Sequence, residues 1–397
     1  SKEAVIVSTA RTPIGKAYRG AFNNTDAATL GGHAIAEAVK RAGLEGGEVD
    51  DVIMGAALQQ GSTGGNIARL CAVRAGLGVG VAGMSIDRQC SSGLMSIATA
   101  AKQVMYDGMP IVVGGGLESI SLVQNENMNR HRATDGWLKE HKQEIYMSML
   151  NTAEVVSTRY GITREAMDEY ALQSQQRTAA AQEAGKFDDE LAPMTSTMGV
   201  MNKETKEITF QEVTLEKDEG NRPSTQLEGL ASLKPVVGED CFITAGNASQ
   251  LSDGASASVV MDSKLAEQNG LNPLGIYRGM AVAGCEPDEM GVGPRYAIPK
   301  LLDLVGLKTR DIGLWEINEA FASQALYCIR ELGLADSMDK INVNGGAIAL
   351  GHPLGCTGAK LCATLLANMQ RKGVKYGVES MCIGGGMGAA ALFELCD

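Results

Sequence analysis

One run of small residues encloses a single histidine: Val343-Asn344-Gly345-Gly346-Ala347-Ile348-Ala349-Leu350-Gly351-His352-Pro353-Leu354-Gly355. The chain has four histidines, and only His352 lies in such a setting. Glycine lets the backbone approach a ligand closely, and Pro353 restricts the chain just after the imidazole. Residues 356–367 continue as a helical pattern. The run therefore indicates a ligand-facing loop at the start of a helix; a plain glycine-rich turn is the alternative.

The same order of strands and helices occurs twice along the chain. In the first copy the patterns predict strands at 4–8, 49–55, 83–87 and 111–113 and helices at 26–42, 66–75 and 91–106. In the second copy they predict helices at 297–304, 320–331 and 356–371 and strands at 310–317, 340–343 and 379–383. A glycine triplet follows the last strand in each copy, at 114–116 and at 384–386, and residues 387–394 resemble 253–260. We therefore predict two copies of one α/β unit, the first interrupted by an insert.

Alternating strands and helices predict a mostly parallel sheet in each copy, covered by helices. We divide the chain into a first half (1–119 and 251–272), an inserted loop domain (120–250) and a second half (273–397). The insert shows a charged helix at 163–184 and a polar hairpin at 195–216. Its basic residues favour a solvated or subunit-contacting surface over a ligand site: Arg130, His131, Arg132, Lys139 and Lys142.

Composition limits the classes of function. With 44% hydrophobic and 21% charged residues the chain is globular, and its net charge of −12 argues against a nucleic-acid surface. Nine scattered cysteines without a C-x-x-C pair indicate a reduced, intracellular protein and no metal site. No apolar run approaches the ~20 residues that span a bilayer. We expect a soluble, cytoplasmic protein without a cofactor.

Cys90 lies in the first copy at the place that the His352 loop takes in the second, between a strand and a helix. If the two copies pack about a pseudo-twofold axis, these turns converge on one cleft. A helix N-terminus favours a thiolate, and a neutral imidazole nearby would remove the thiol proton. A free cysteine is more often an inert core residue, but the helix start and the small neighbours Ser91, Ser92 and Gly93 favour a nucleophile.

The second copy adds further groups. Asn318 and Glu319 open a helix directly after a buried strand; an N-cap with an acidic first turn is the alternative. Cys382 precedes a glycine triplet whose backbone N–H groups are typical of an oxyanion hole. Two thiols, an imidazole and an amide suit acyl transfer with carbanion chemistry. Dinucleotide binding at residues 384–389 is the rival, but no helix follows that would face a phosphate.

These motifs together resemble the thiolases, over essentially the whole chain: Cys90-Ser91-Ser92-Gly93, Asn318-Glu319-Ala320-Phe321, Gly351-His352-Pro353 and Cys382-Ile383-Gly384-Gly385-Gly386. The resemblance implies an α/β fold of two similar halves in a layered αβαβα core, with an inserted loop domain. It also implies dimers or tetramers, and reversible thiolysis of a 3-ketoacyl-CoA by CoA, or the reverse Claisen condensation.

By the same resemblance, Cys90 is the nucleophile that carries the acyl group, and His352 activates it and helps to stabilise the substrate thioester oxygen. Cys382 is the acid/base that protonates the departing acetyl-CoA carbanion. Asn318 positions a water that completes one oxyanion hole with His352. The amides of Cys90 and Gly384 form the second. A preorganised donor of this kind contributes about 3–4 kcal/mol.

The resemblance also implies a site for CoA as a substrate, mainly on the loop domain. Arg222 matches the arginine beside the adenine and phosphate part, and Ser249, in the run 245–249 that begins with Ala245, matches the serine at the pantetheine arm. Met149 and Phe321 match pocket-wall positions. One departure concerns Ser148, where short-chain biosynthetic thiolases usually carry histidine, so the contacts around the pantetheine are expected to differ.

Two subtypes and two rival classes remain. Residues 88–93 and 350–358 look more like degradative 3-ketoacyl-CoA thiolases, and a short-chain acetoacetyl-CoA thiolase (acetyl-CoA acetyltransferase) is the alternative. A ketoacyl-carrier-protein synthase would lack Cys382. A non-enzymatic acyl-CoA or lipid-binding member of the fold would be expected to have lost Cys90, His352 or Cys382, and all three are present.

Overall fold

The computed structural model describes residues 2–397, which form twelve strands and thirteen α-helices. The strands are β1 (Ala4–Arg11), β2 (Gly15–Lys16), β3 (Asp51–Gly55), β4 (Ala82–Ile86), β5 (Ile111–Ser119), β6 (Met194–Met201), β7 (Ile208–Leu215), β8 (Ser252–Asp262), β9 (Gly275–Gly284), β10 (Leu314–Ile317), β11 (Tyr376–Ile383) and β12 (Met387–Glu394). The helices are α1 (Ala27–Arg41), α2 (Ile67–Arg74), α3 (Ser92–Tyr106), α4 (Ile120–Val123), α5 (Gly136–His141), α6 (Met149–Tyr160), α7 (Arg164–Glu183), α8 (Leu227–Ala231), α9 (Ser263–Gln268), α10 (Gly293–Val305), α11 (Ala322–Glu331), α12 (Ala347–Leu350) and α13 (Leu354–Lys372).

The main sheet consists of two similar halves joined edge to edge. Its strand order is β10-β11-β12-β9-β1-β8-β5-β3-β4, with β2 paired to β8. Only two residue pairs, Val5–Ile276 and Ile6–Gly275, join β1 of the first half to β9 of the second. An isolated parallel bridge between Trp315 and Ile341 puts the chain before the histidine loop beside β10, as β4 lies beside β3. The predicted strand at 340–343 is reduced to this bridge.

The prediction of a mostly parallel sheet is wrong. In the first half β3 pairs in parallel with β4 and β5, whereas β8 runs antiparallel to both β5 and β1. In the second half β10 and β11 are parallel, and β12 is antiparallel to β11 and β9. A tight turn after β11 makes β12 a hairpin partner, and hairpins need no crossover helix. Each half is therefore a mixed sheet.

Helices cover each half on both faces, which confirms the αβαβα layering. One cluster of buried apolar residues packs α1 and α2 on the first half, and another packs α10 and α11 on the second. The third cluster contains α3 and α13, which lie between the two halves. These two helices lie so close together that a Cβ on Gly93 would be 2.6 Å from Ala359 N, and one on Gly358 would collide with Leu94. Small residues thus bring the starts of α3 and α13 together.

The two glycine triplets do not occupy equivalent positions, contrary to the prediction. Residues 114–116 lie inside β5, where the buried strand continues to Ser119. A side chain at Gly114 would lie 2.9 Å from Ile97 Cα in α3, and one at Gly116 would collide with the carbonyl of Gly355. Residues 384–386, in contrast, follow the end of β11 and make the turn to β12, with Gly385 at φ 87°. The first triplet serves helix packing and the second forms a turn.

The inserted segment carries α4 to α8 and the two-stranded β6–β7 sheet, so the charged helix and the polar hairpin are confirmed. Buried Arg11 connects β1 to this segment through ion pairs with Asp218 at 2.7 Å and Glu190 at 2.8 Å. The basic residues Arg130 and Arg132 are exposed. A solvated surface fits them, and their role in subunit contact stays a prediction.

Candidate functional site

The turn that carries Cys90 is a single 3₁₀ turn, Gln89–Ser91, placed directly before α3. Ser91 Oγ and Ser92 Oγ donate to the carbonyls of Arg88 and Gln89 at 3.0 and 2.6 Å. Gln89 has a φ of 44°, a conformation that costs a non-glycine residue free energy and that the surrounding structure must hold in place. The predicted helix began at residue 91, whereas the α-helix begins at Ser92 and the thiol lies in the short 3₁₀ turn before it.

The Cys90 thiol is neutral at rest, which corrects the expectation of a favoured thiolate. Burial of the sulfur among protein atoms raises the pKa of Cys90 to about 11, although the residue is partly exposed. The backbone N–H groups of Gly384 and of Cys90 itself lower this pKa, and the carboxylates of Glu118 and Asp87 raise it. Desolvation is the largest of these effects. A nucleophilic role for this thiol therefore needs a neighbouring base.

His352 has the properties of that base. It lies two residues before α13, buried at 5% exposure, after Gly351 at φ 103°. Burial lowers the pKa of His352 to about 4, so the imidazole is neutral at pH 7. Its Nδ1 lies 2.6 Å from Thr357 Oγ1, and its Nε2 lies 3.4 Å from Asn318 Nδ2. Because Asn318 Nδ2 is a donor, this arrangement fits an imidazole whose Nδ1 carries the proton and whose Nε2 is free to accept one.

Asn318 reaches the site from the end of β10. Its backbone N–H donates to Ser380 at 2.9 Å, and α11 begins only at Ala322, so the N-cap alternative for Asn318 is wrong. Its Oδ1 is buried and has no hydrogen-bond partner among residues 2–397. Glu319 instead accepts hydrogen bonds from Tyr170 and Ser174, both at 2.6 Å, and from the N–H of Ile348 at 3.3 Å, and so connects α7 to the histidine loop.

Cys382 and Gly384 enter from the end of β11. Cys382 is 1% exposed, and burial raises the pKa of its thiol well above the ordinary value, with a further increase from Cys90 nearby. A Cβ on Gly384 would collide with Gln89 Oε1 and lie 3.4 Å from Met149 Sδ. A side chain at residue 384 would have to displace the side chain of Gln89 in the cysteine turn. Two neutral thiols and an amide donor thus lie together.

The predicted CoA-binding positions divide into two places. Arg222 and Ala245 line a groove of about 470 Å³, together with Gly246 and Gln250. Ser249 does not line this groove; its N–H donates to the carbonyl of Ala320, two residues after Asn318, at 2.8 Å. The next residue, Gln250, accepts from the N–H of His352 at 3.0 Å.

The two pocket-wall positions also lie next to the chemical groups. Phe321 is buried and bridges to Ala248, and Met149 begins α6 with its sulfur near Gly384. Ser148, the departure noted in the sequence, accepts from Asn151 N–H at 3.2 Å as the N-cap of α6. A larger groove of about 820 Å³ beside the β6–β7 hairpin contains none of the predicted residues.

Two residues that the sequence reasoning missed also contact the site. Thr357 fixes the histidine ring, and a hydroxyl in the first turn after a glycine-histidine loop is the signal that indicates it. Glu118, fully buried in β5, accepts the backbone N–H of Gly355 at 2.9 Å. A lone glutamate in an otherwise apolar and glycine-rich strand is a recognisable signal for it.

Within residues 2–397 no group of three or more potential ligands could hold a metal ion, and no helix is long and apolar enough to cross a membrane.

Fold and site together define a class: a duplicated α/β protein in which a cysteine and a histidine each precede a central helix, with a second cysteine at a strand end near the first. Family models agree. Residues 4–264 match "Thiolase, N-terminal domain" and residues 271–395 match "Thiolase, C-terminal domain". The chain belongs to the thiolase family.

Relatives and solved structures cover the chain from end to end. It is 47% identical to the 3-ketoacyl-CoA thiolase of Bacillus subtilis, with 100% of both chains covered. It is 43% identical to the peroxisomal 3-ketoacyl-CoA thiolase of Homo sapiens, covering 99% of this chain and 91% of that one. The crystal structure of the Bacillus anthracis acetyl-CoA acetyltransferase aligns with a TM-score of 0.88 at 39% identity, covering 100% and 99%. That of human mitochondrial 3-ketoacyl-CoA thiolase in complex with CoA aligns with 0.87 at 38%, covering 100% and 98%.

Proposed function

We propose that this protein is a 3-ketoacyl-CoA thiolase, an acyltransferase that cleaves a 3-ketoacyl-CoA with CoA through an acyl-Cys90 intermediate. Its relatives that carry this name support the activity. In the structure the proposal is supported by the contact of Gly384 with the turn that carries Cys90, by the packing of that turn on α13, and by the 3.4 Å approach of Asn318 to His352 just before α13. Cys382 lies two residues before Gly384, at the end of β11. A second thiol has no use in simple hydrolysis, whereas carbon–carbon cleavage needs an acid for the departing carbanion.

In the first half-reaction, Nε2 of His352 takes the Cys90 proton while the sulfur attacks the 3-keto carbon. The C2–C3 bond breaks, and its electron pair leaves with the acetyl-CoA enolate. The acyl group stays on Cys90. Cys382 gives its proton to that enolate carbon. The enzyme is left with an acyl thioester, a Cys382 thiolate and an imidazolium.

In the second half-reaction, CoA gives its thiol proton to Cys382 and attacks the acyl thioester. Cys90 leaves as a thiolate and recovers its proton from His352, so the enzyme returns to its resting state. The low pKa of His352, near 4, makes the imidazolium a ready proton donor at this step. The mechanism needs no external proton, oxidant or cofactor.

Charge that develops on oxygen is stabilised at two places. Once His352 holds the Cys90 proton, its Nε2–H donates to the thioester oxygen of the acetyl-CoA part, beside a water positioned by Asn318. The unpaired Asn318 Oδ1 supports this role because a buried amide oxygen needs a partner. The N–H groups of Cys90 and Gly384 stabilise the oxygen of the attacked acyl carbonyl.

CoA occupies the groove that holds Arg222 and Ala245, and its pantetheine arm passes Ser249 and Met149 toward Cys90. The chain has a net charge of −12, so a local cation such as Arg222, which is exposed at the groove, must attract the phosphates. Phe321 forms a wall beside the reacting acyl group.

The protein functions as a homo-oligomer, a dimer or a tetramer, in the cytoplasm. Strand β4 supports the assembly because it lies at the end of the sheet order with one edge unpaired. Exposed apolar residues surround that edge, with Val79 at 82% and Met84 at 41% exposure. Unprotected edges of this kind favour pairing with another chain. Light scattering on the purified protein distinguishes dimer, tetramer and monomer, and a monomer contradicts the proposal.

The chain-length subtype is tested by CoA-dependent thiolysis of acetoacetyl-CoA and 3-ketooctanoyl-CoA, comparing kcat/KM. We expect the longer substrate to be preferred, as befits a degradative enzyme of β-oxidation type. Activity confined to acetoacetyl-CoA would instead assign an acetyl-CoA acetyltransferase, the name of the Bacillus anthracis structural neighbour. Cleavage of neither substrate by folded protein would refute the thiolase activity.

A further inference from the structure

Glu118 is a buried carboxylate that connects the two halves of the protein at the chemical site. It is 0% exposed, and it forms no ion pair with a basic residue within residues 2–397. Its Oε1 accepts the N–H groups of Ala57 at 2.8 Å and Gly355 at 2.9 Å, and its Oε2 accepts that of Leu58 at 3.1 Å. All three partners are backbone amides, two from the loop after β3 and one from the first turn of α13.

Glu118 faces the layer between the two halves. Val112 lies on the same face of β5 and belongs to the buried cluster that contains α3 and α13. Cys382 lies on the opposite face of β11 from Met381 and Ile383, because it belongs to the cluster that packs α10 and α11, whereas those two belong to the cluster between the halves. The buried carboxylate and the second thiol therefore lie on different faces of their strands.

Through Gly355 the carboxylate holds the segment that carries the imidazole. Gly355 lies three residues after His352, in the same first turn as Thr357, whose hydroxyl contacts His352 Nδ1. The N–H groups at a helix start have no partner within the helix, and a buried carboxylate satisfies and attracts them. We propose that Glu118 is a positioning residue of the thiolase reaction, fixing α13 and His352 against the half that carries Cys90. This inference rests on the proposed function of those two residues.

The charge of Glu118 also acts on the nucleophile. It is among the groups that raise the pKa of Cys90 and that of Cys356. Burial raises the pKa of Glu118 itself to about 7, the three amides lower it, and Asp87 raises it. When Glu118 is ionised it accepts all three N–H groups and disfavours a resting Cys90 thiolate. When it is protonated below pH 7, one oxygen becomes a donor and one amide bond is lost.

The test compares Glu118→Gln with Glu379→Gln, a change at another fully buried glutamate that makes no hydrogen bond within residues 2–397. Thiolysis by the wild type should rise through pH about 7. Glu118→Gln should lose this step and lower kcat about 10- to 100-fold, because a misplaced base costs that much, with the KM for CoA within about threefold. Glu379→Gln should keep the wild-type profile, and Glu118→Asp should keep the step at a lower kcat.

A second readout does not depend on turnover. Alkylation of Cys90 by iodoacetamide, followed by mass spectrometry, should shift to lower pH in Glu118→Gln because a negative charge beside the thiol is removed. If the wild type cleaves no 3-ketoacyl-CoA, the proposed function fails, and the alkylation of Cys90 alone decides the role of Glu118. A Glu118→Gln protein with the wild-type pH profile and alkylation curve overturns the proposal. The proposal is also overturned if kcat falls equally in Glu118→Gln and Glu379→Gln and the fall is explained by a smaller fraction of folded protein.

Discussion

The two halves of the molecule share a framework, yet their strand ends carry different chemistry. Cys90 and His352 each lie two residues before the helix that packs between the halves. Gly93 and Gly355 each follow three residues later, and the backbone of the opposite half lies against both. The repeat thus fixes where side chains converge, and the sequence of each copy decides which group arrives there.

The two halves contribute different groups at their other strand ends. The loop after β10 begins with Asn318, whose amide nitrogen lies 3.4 Å from His352, whereas the loop after β3 begins with the apolar Ala56. Glu118 faces the other half from β5, whereas Cys382 lies on the outer face of β11. In the proposed mechanism the first half supplies the nucleophile and a carboxylate anchor, and the second half supplies the base, the amide and a second thiol.

The largest expected effect comes from removing Cys90, the thiol that the first half contributes to the candidate site. Cys90→Ala should abolish acyl-enzyme formation and lower kcat by at least about 10⁴-fold, because no neighbouring group replaces the nucleophile. Mass spectrometry after incubation with acetyl-CoA measures the acetyl adduct directly. Cys241→Ala is the matched control, since Cys241 is also a partly exposed free thiol. An acetyl adduct on Cys90→Ala would place the nucleophile elsewhere.

Cys382→Ser should separate the two chemical roles. Serine is a far weaker acid than cysteine, so the departing carbanion loses its proton donor while Cys90 keeps its own base. Acetylation of Cys90 by acetyl-CoA should stay within about tenfold of wild type, and thiolysis and condensation should fall about 10²- to 10⁴-fold. Parallel assays of the adduct and of acetoacetyl-CoA cleavage measure both. Condensation at the wild-type rate would remove Cys382 from the mechanism.

Gly355→Ala tests the contact between the halves. A Cβ there would lie 2.6 Å from the carbonyl oxygens of Gly55 and Leu117, and backbone cannot move aside as a flexible side chain does. We expect a loss of about 1–3 kcal/mol or more in the free energy of unfolding, with a lower thermal midpoint. Gly47→Ala is the control because nothing lies within 4 Å of its Cβ position. Equal midpoints for both variants would show that the halves tolerate separation.

Features encoded in local sequence were predicted well. The helices follow from apolar periodicity, and the placement of Cys90 and His352 before two equivalent helices follows from the repeat. Strand direction was not accessible in this way, because β8 returns to β5 only after an insert of about 130 residues. The equivalence of the two glycine triplets failed for a similar reason. Which glycine meets a helix from the other half depends on packing between residues far apart in sequence.

The chemical site was predicted as a set of residues but not as an electrostatic environment. The helix-start argument favoured a Cys90 thiolate, whereas burial outweighs it and raises the pKa to about 11. Thr357 and Glu118 were missed because their roles exist only after α13 docks on the first half. Desolvation and second contacts of this kind depend on the whole fold, so motif spacing alone does not reveal them.

A last expected effect, on stability alone, comes from a buried acid pair in the second half. Glu316 and Glu379 are neighbours in the β10–β11 ladder and lie beside α13, whereas the corresponding inner face of the β3–β5 ladder has Ile53 and Gly114. Burial raises the pKa of Glu316 to about 8 and that of Glu379 well above its ordinary value. The folded protein therefore keeps a proton that the unfolded chain releases near pH 4.5, so this contribution to stability is complete at low pH and is lost as pH rises toward 8.

Glu316→Gln should reduce that loss, because glutamine resembles the protonated acid and never ionises. Between pH 5 and pH 9 the free energy of unfolding, measured by urea denaturation, should fall more for the wild type than for the variant. The difference should be on the order of a few kcal/mol. Glu204→Gln, a change at an exposed glutamate in the β6–β7 turn, is the control and should follow the wild type. Parallel curves for Glu316→Gln and the wild type would mean that water or a conformational shift already solvates this carboxylate. The second half would then be no more sensitive to pH here than the first, whose equivalent positions hold no acid.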